Sequence, residues 1–212
     1  MKKRDVFLAA LAILLFWQIV ALIVDRNILP SPILVIQVFF KELFNGKMLE
    51  HAAASLWRVM ASMFLSVALA APAGLILGQS KRLNRFFSPV IYLLYPIPKV
   101  VLVPIILLFL GIGDLPKIVI IFMILFFQIL VLVRDQAAAL PTELIQSVQS
   151  LGAGRRALFR FVYLPASLPA ILTALRQSVG TAVAVLYIAE LFATQRGLGY
   201  YIYFNGSTLF DY

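Results

Sequence analysis

The sequence contains no cysteine and only one histidine, His51, among its 212 residues. The lack of cysteine excludes disulfide bonds, thiolate metal sites and cysteine nucleophiles. With a single histidine, a histidine-based metal centre or a Ser-His-Asp catalytic triad is hard to assemble. We therefore expect no metal, no cofactor and no catalytic residue in this chain.

Charged residues are also scarce, at 13% of the chain, whereas hydrophobic residues make up 63%. The mean hydropathy is +1.00, and such a composition excludes a soluble domain. The phosphate-binding motif G-x-x-x-x-G-K-[ST] is absent as well, so this chain has no such loop with which to bind ATP. The sequence predicts an all-α integral membrane protein that draws any energy it needs from another subunit.

Long apolar runs predict five membrane spans, because about 20 apolar residues cross a ~30 Å hydrocarbon core. The first span is expected to stay as an uncleaved anchor, since polar residues 25–27 replace the small residues of a cleavage site. After it, Ser31 and Pro32 are typical of a helix start, and the short helix over residues 32–44 is expected on the outer membrane surface. The five predicted spans cover residues 6–24, 56–78, 89–110, 118–133 and 167–192.

These elements predict a single transmembrane domain over residues 1–212. Residues 1–55 would contain the first span and the outer helix, and residues 56–193 the core spans with one long loop. Residues 194–212 would form a tail outside the membrane. Because five crossings are an odd number, the two termini are expected on opposite sides.

Basic residues are distributed unevenly between the two sides of these spans. If the amino terminus is cytoplasmic, ten lie in inner segments and five outside, which is the asymmetry typical of membrane proteins. Membrane orientation then accounts for the net charge of +9, and we expect no nucleic-acid partner. Three further cations, Arg58, Lys99 and Arg176, suit either snorkelling to headgroups or contact with an anionic solute. The inner ten are Lys2, Lys3, Arg4, Lys81, Arg82, Arg85, Arg134, Arg155, Arg156 and Arg160, and the outer five are Arg26, Lys41, Lys47, Lys117 and Arg196.

The third predicted span contains three prolines, Pro96, Pro98 and Pro104. Each proline lacks an N–H and disturbs the helix around it. Broken helices at membrane depth are tolerated where they are buried in protein or line a water-filled path. We therefore predict that this span, including Val101, lines a translocation path. Glu190, near the outer end of the fifth span, should face the same path or a buried partner.

Residues 140–169 form a polar, basic loop between the last two predicted spans. Gly152 and Gly154 should end a helix in its first half, while Leu164-Pro165 and Pro169 should mark the turn into the fifth span. Such an amphipathic helix places its apolar face in a partner's groove or rests it on lipid. Its apolar residues recur at helical spacing and are Leu144, Ile145, Val148 and Leu151.

Eight short motifs follow one another along most of the chain and fall on the predicted faces of the membrane. They are Leu29-Pro30-Ser31-Pro32, Ser55-Leu56-Trp57-Arg58, Pro96-Ile97-Pro98-Lys99, Gly111-Ile112-Gly113-Asp114, Leu151-Gly152-Ala153, Leu164-Pro165 with Pro169, Ala189-Glu190 and Gly197-Leu198-Gly199. Each is common alone. Together, in this order, they resemble the inner-membrane permease subunits of binding-protein-dependent ABC importers, in the branch that handles nitrate, taurine and sulfonates.

The resemblance implies a helical bundle like that of type I ABC importers, with a cytoplasmic coupling helix, in the bacterial cytoplasmic membrane. It implies ATPase subunits inside, a soluble or lipid-anchored substrate-binding protein outside, a homodimer, and surrounding membrane lipid. It also implies a small solute as substrate, such as a sulfonate, taurine or nitrate. The ATPase-coupling residues that it assigns are Gln146, Ser147, Val148, Leu151, Gly152, Ala153, Leu164 and Pro165.

Two features depart from the family pattern. The family loop usually begins Glu-Ala-Ala, whereas Gln146, Ser147 and Val148 occupy these positions here. The acidic residue that would meet the ATPase is thus neutral, and we expect weaker or differently tuned coupling. Family members also have a sixth span, and the present sequence supplies five.

Two other functions fit parts of the sequence. A secondary transporter or channel subunit would need paired intramembrane carboxylates or inverted repeats, and Glu190 is the only plausible intramembrane acid here. An intramembrane hydrolase could use His51 and Ser55, which lie four residues apart and share a helix face. However, neither a G-x-S-x-G motif nor an orienting acid in register accompanies this pair.

Overall fold

The computed structural model describes residues 3–24, 29–192 and 194–209. Lys2 and Arg26 of the predicted charge balance, and the last residues of the predicted tail, lie outside these ranges. The described residues are almost entirely helical, as predicted, and contain no strand. A 3₁₀ turn covers Lys99–Leu102, and π-helical turns cover Phe159–Tyr163 and Phe204–Leu209. The α-helices are α1 (Lys3–Val24), α2 (Pro32–Asn45), α3 (Met48–Gln79), α4 (Lys81–Leu94), α5 (Val103–Leu110), α6 (Asp114–Ala138), α7 (Thr142–Ser150), α8 (Arg155–Leu158), α9 (Leu164–Glu190) and α10 (Leu198–Tyr203).

Four helical stretches are long and apolar enough to cross a membrane, and each contains most of a predicted span. They are α1, α3, α6 and the continuous stretch Arg155–Glu190, which includes α8 and α9. α3 starts at Met48 rather than near residue 56, because Gly46 ends α2 and no glycine or proline lies between Met48 and residue 56. α1 buries little of its surface, so it lies at the periphery of the bundle.

The predicted third span is a bent pair of helices. α4 and the segment Lys99–Leu110 meet at an angle of 71°, and Pro96 and Pro98, which cannot donate backbone hydrogen bonds, lie in the bend. The break predicted from the prolines is therefore confirmed. The predicted start near residue 89 is wrong, because Ser80 already caps α4 by accepting a hydrogen bond from the Leu83 N–H at 3.3 Å.

The short helix predicted after the first span is confirmed as α2. Ser31 Oγ accepts a hydrogen bond from the Leu34 N–H at 3.3 Å, and Pro32 occupies the first turn. α2 packs on α1 and α3. The Tyr201 hydroxyl donates to Glu42 Oε2 at 2.5 Å, which ties α10 to this helix. The position of α2 on the membrane surface stays a prediction.

α3 and α6 form the most extensive helix pair of the bundle and run parallel. Residues of α3 and α6 that contact each other are 56 positions apart in the sequence at each of three hydrogen bonds. The pairs are Arg58 with Asp114, Ser62 with Ile118 and Ser66 with Phe122. Further along, a Cβ on Gly78 would lie only 2.5 Å from that of Ala137, and one on Gly74 only 2.9 Å from the Leu130 carbonyl. The two glycines of α3 therefore permit the close approach of α6.

Parallel packing determines how the chain is threaded through the bundle. Because α3 and α6 begin at the same end, residues 80–113 must return from the far end to that end. α9 runs in the opposite direction and brings Glu190 beside Arg58. α7 lies at the other end, where Ile145 and Gln79 line one crevice. We call these two ends of the bundle the Glu190 end and the loop end.

Candidate translocation and coupling sites

Arg58 lies inside the Glu190 end of the bundle and contacts two carboxylates. Its side chain is 4% exposed, and its Nη1 donates to Glu190 Oε1 at 2.6 Å. Its Nε and Nη2 donate to Asp114 Oδ1 at 2.8 and 2.7 Å, and Nη1 also donates to the carbonyl of Arg196 at 2.7 Å. One guanidinium thereby joins α3, the start of α6, the end of α9 and the segment before α10.

Glu190 is 1% exposed, and donors surround its carboxylate. Besides Arg58, the Ser55 hydroxyl donates to it at 2.8 Å and the Gly199 N–H donates at 2.8 Å. A buried carboxylate is tolerated only when it is paired and hydrogen-bonded in this way. We call this arrangement the Glu190 network, and its members are Ser55, Arg58, Asp114, Glu190 and Gly199.

The glycine-containing turn before α10 is shaped around the Glu190 carboxylate. Gly197 has a φ of +132°, and a Cβ at this position would collide with that carboxylate. The position therefore requires glycine. The N–H groups of the turn donate to α3, from Gly197 to His51 Nδ1 at 3.0 Å and from Leu198 to Ser55 Oγ at 2.8 Å. These bonds close the Glu190 end of the bundle.

His51 and Ser55 share one face of α3 but do not form a pair of nucleophile and base. His51 Nδ1 already accepts a backbone N–H, and its ring centre lies 4.9 Å from that of Tyr201. The Ser55 hydroxyl donates to Glu190, whose charge Arg58 balances. The pair therefore lacks the geometry of a hydrolase. Within the part of the chain that the structure describes, no three His, Asp or Glu side chains could hold a metal ion.

The sequence alone does not predict that the members of the Glu190 network contact one another. The sequence predicts that Arg58 snorkels or meets a solute, and Asp114 enters only as part of the motif Gly111-Ile112-Gly113-Asp114. The partners are 132 and 56 residues away from Arg58, and no local pattern links such distant positions. The usable signal is the rule that a charge within an apolar span needs a partner of opposite sign. Arg58 and Glu190 both lie near the predicted outer face and satisfy this rule.

Lys99 stabilises the proline-containing bend between α4 and α5. Its Nζ donates to the carbonyl of Leu94 at 2.8 Å, and the carbonyls of Tyr95 and Ile97 lie 3.3 and 3.4 Å away. The same Nζ lies 4.5 Å from the centre of the Phe127 ring. One ammonium thus satisfies carbonyls that the broken helix leaves without N–H donors. The Lys99 ammonium is therefore already hydrogen-bonded to backbone carbonyls of the bend.

Replacing Lys99 with methionine is expected to lower the free energy of unfolding by about 1–3 kcal/mol, because buried carbonyls would lose their donor. Thermal unfolding of the protein in lipid nanodiscs measures this change. Lys41→Met is the matched control, since Lys41 is exposed on α2 and its replacement should have little effect. An unchanged melting temperature for Lys99→Met would contradict the structural role of this ammonium.

A cleft of about 830 Å³ opens beside the bend. The segment with Pro96 and Pro98 forms one wall, and α6 and α9 form the others. Clefts between helices that combine apolar walls with a few polar groups suit small solutes, and irregular backbone beside them is typical of transport paths. The polar side chains that α6 and α9 contribute are Gln128, Asp135, Gln136, Gln177 and Thr181.

The residues predicted for the translocation path lie in three different surroundings. Pro96 and Pro98 line the cleft. Val101 and Pro104 lie outside it on the surface of the chain, with Val101 68% exposed. Glu190 is buried in its network and does not line the cleft. Of the two surroundings predicted for Glu190, the structure therefore supplies the buried partner.

The polar loop contains the amphipathic helix predicted from its sequence, and this helix is α7. Its apolar face is divided: Ile145 and Val148 pack against the hydrophobic core of the chain, whereas Leu144 is 44% and Leu151 is 85% exposed. Part of the face predicted to enter a partner's groove or rest on lipid is therefore used within the chain, and contact with a partner stays a prediction for the exposed part. α7 lines a crevice together with the residues around Leu158 and the end of α3.

The end of α7 projects away from the bundle. Gln146, Ser147 and Gly152 are exposed, and Ala153 is half-buried. Gly152 has a φ of +83°, and no atom lies within 4 Å of where its Cβ would be. Its N–H donates to the Gln149 carbonyl at 2.9 Å, so this glycine ends the helix as predicted.

Leu164 and Pro165 do not mark a turn into the fifth span. The stretch Arg155–Glu190 is continuously helical, and both residues are exposed on it. Pro165 has no N–H to donate, and the wider π-helical turn Phe159–Tyr163 ends two residues before it. The predicted turn is wrong because the helix accommodates the proline in this way. A displacement of α7 would therefore act on a helix that continues into the bundle.

Comparisons with known proteins agree with this architecture. A family described as binding-protein-dependent transport system inner membrane component matches residues 70–203. The taurine transport system permease protein TauC of Escherichia coli (strain K12) is 31% identical over 210 residues, which cover 95% of this chain and 76% of TauC. The formylaminopyrimidine transport permease protein ThiX of Halalkalibacterium halodurans is 28% identical over 192 residues, which cover 90% and 76% of the two chains.

A solved structure of the MetNI methionine ABC transporter in an inward-facing conformation has a similar fold. The TM-score is 0.69 at 22% sequence identity, and the match covers 81% of this chain and 85% of the other. The family match spans more than half of this chain, including α6, α7 and the glycine-containing turn that holds Glu190. The chain therefore belongs to the family of binding-protein-dependent transport system inner membrane components, and it is the permease subunit of an ABC importer.

Proposed function

We propose that this permease carries a small anionic solute, such as a sulfonate, taurine or nitrate, into a bacterial cell. One observation supports this most strongly: the cleft, with its apolar walls and a few polar side chains, lies between a tightly bonded Glu190 end and a loop end from which α7 projects. A solute path between two specialised ends suits a permease that meets a binding protein on one side and an ATPase on the other. Family membership implies both of these partners.

The proposed orientation places the amino terminus and α7 on the cytoplasmic side. The parallel packing of α3 and α6 supports a fifth crossing by the bent pair of α4 and α5, because the chain must return along the bundle between them. The basic start of α4, Lys81 to Arg85, belongs to the loop end and suits the cytoplasmic face. In this arrangement residues 1–212 form one transmembrane domain, and residues 194–212 lie outside.

Contact with the ATPase is proposed for the projecting end of α7. Gln146, Ser147, Leu151 and Gly152 are exposed and would touch the partner, and the 85% exposure of Leu151 supports an interface there. Val148 and Ala153 would hold α7 in position, since they pack against the core of the chain. Leu164 and Pro165 would transmit movement as part of the continuous helix into α9.

The proposed functional unit is a homodimer surrounded by lipid, with the path near the two-fold axis. The bent pair exposes a large apolar surface at membrane depth, including Val101 by 68%, Leu108 by 82% and Phe109 by 81%. Either lipid or a second copy must cover such a surface. Pro96, Pro98, Val101 and Pro104 all belong to this segment, so a second copy there would enclose the cleft between two chains.

Copurification tests the proposed energy source. A tagged permease, extracted from its native membranes in mild detergent, is expected to retain an ATPase subunit. A variant in which a glycine–serine linker replaces residues 142–150 should still insert into the membrane but should lose that subunit. If the wild-type permease carries no ATPase and its uptake follows an ion gradient without ATP, the alternative of a secondary transporter is correct.

A further inference from the structure

Two glutamine side chains line the cleft without a hydrogen-bond partner. On the cleft-lining face of α6, Gln128 lies between Ile124 and Val131, each about one turn away. On α9, Gln177 lines the cleft together with Thr181, one turn further along. Neither amide makes a hydrogen bond to another residue that the structure describes. Because an unbonded amide at membrane depth is costly, both amides need water or a ligand.

The two amides lie at the same depth in the bundle. The guanidinium of Arg58 bonds both Asp114, at the start of α6, and Glu190, at the end of α9. These two helix ends therefore share one level, and the helices run in opposite directions from it. Gln128 lies fourteen residues after Asp114, and Gln177 lies thirteen residues before Glu190. At 1.5 Å per residue, both amides lie about 20 Å from the Glu190 end and contribute to the cleft from different walls.

The charged groups that line the cleft are already bonded within the chain. Among the described residues, these groups are Lys99 and Asp135. The Lys99 ammonium donates to the Leu94 carbonyl at 2.8 Å, and Asp135 Oδ1 accepts from Arg134 Nε at 2.8 Å. Arg176 does not line the cleft. The groups left free to meet a solute there are therefore neutral.

We propose that Gln128 and Gln177 form a neutral hydrogen-bonding site that binds the polar group of the transported solute inside the cleft. This inference rests on the proposed function, because it assumes that the cleft belongs to the path. Each amide offers two N–H donors to the oxygens of a sulfonate or nitrate, and its carbonyl accepts from an ammonium such as that of taurine. An amide holds an anion less tightly than a guanidinium does, and a site on a transport path must also let the solute leave.

Substitutions that add charge at nearly constant size test the site by uptake. Proteoliposomes containing the permease, its ATPase and its binding protein are supplied with labelled taurine, ethanesulfonate or nitrate. Gln128→Glu and Gln177→Glu are each expected to lower uptake of ethanesulfonate and nitrate by roughly tenfold or more, because a carboxylate repels these anions and cannot donate to them. Gln136→Glu is the matched control and should retain most of the uptake, since Gln136 lines the cleft beside the native carboxylate of Asp135.

The outcomes separate this inference from the proposed function. If the wild-type assembly takes up none of the three probes, the proposed substrate class is wrong and this inference falls with it. If the wild type transports ethanesulfonate or nitrate and both Gln128→Glu and Gln177→Glu do so equally well, only this inference is wrong. An equal loss in Gln136→Glu would also contradict it, because any added charge in the cleft would then have the same effect.

The absence of native cysteine permits a second readout that does not depend on uptake. Gln128→Cys and Gln177→Cys each carry the only thiol of the permease, and a water-soluble thiol reagent is expected to label both. With ATP present, taurine-loaded binding protein should slow this labelling relative to the same binding protein without taurine. Gln37→Cys, exposed on α2 and outside the cleft, should react at an unchanged rate. Thiols at the two sites that stay unlabelled in every nucleotide state, or that taurine leaves unprotected, would overturn the proposal.

Discussion

Replacing Glu190 with glutamine is expected to lower the free energy of unfolding by about 3–5 kcal/mol, the usual cost of breaking a buried ion pair from one side. The substitution keeps the size of the side chain but leaves Arg58, which is 4% exposed, with Asp114 as its one remaining carboxylate partner among the described residues. Ser55 and Gly199 would also donate to a neutral amide instead of a charged oxygen. Thermal or denaturant unfolding in nanodiscs measures the loss.

The chain offers a matched control for this substitution. Glu50 pairs with Arg196 at 3.3 Å, but both side chains are more than half exposed, so Glu50→Gln should change stability by less than about 1 kcal/mol. The double variant with Glu190→Gln and Arg58→Met should recover part of the loss, because it removes the uncompensated charge. Equal effects of Glu190→Gln and Glu50→Gln would contradict the buried network.

Gly152→Asp is expected to separate ATP hydrolysis from transport while the protein still folds and inserts. Gly152 has a φ of +83° and open space around it, so the new carboxylate would point away from the bundle towards the proposed ATPase surface. Burying an unpaired charge in an interface costs about 3 kcal/mol or more, which corresponds to roughly a hundredfold loss of affinity. The retained ATPase and the solute uptake of the reconstituted complex are measured together.

Gly111→Asp is the control for backbone strain and added charge. Gly111 has a similar φ of +75° and equally open surroundings, but it lies just before α6, at the Glu190 end of the bundle. This variant should retain the ATPase as the wild type does. If both variants lose the ATPase to the same extent, strain or charge alone is responsible, and the contact at Gly152 is not supported.

Much of the fold could be predicted from sequence, because its signals are local. Apolar runs of sufficient length give the long helices. Ser31 with Pro32 gives the start of α2, and Gly152 gives the end of α7. The proline spacing around Pro96 and Pro98 gives the bend. Each of these features depends on a few neighbouring residues, so one sequence is enough to identify it.

The remaining features depend on contacts between distant segments. The Glu190 network joins residues 132 positions apart. The residues next to each of its three charged members do not indicate which partner that member contacts. The apolar spacing of α7 shows that one face is buried, but it does not show that Ile145 and Val148 bury it within their own chain. The sequence presents Lys99 as a free cation, whereas in the structure its ammonium donates to a carbonyl of the bend. Such assignments need the tertiary structure.

We expect this permease to convert ATP hydrolysis by a partner into solute movement through α7. The most direct test is the number of ATP molecules hydrolysed per solute molecule imported, measured in proteoliposomes containing the permease, its ATPase and its binding protein. We expect a small, constant ratio for the wild type and for Gly111→Asp, and a strongly raised ratio for Gly152→Asp. Uptake that proceeds without ATP, or a ratio that Gly152→Asp leaves unchanged, would contradict it.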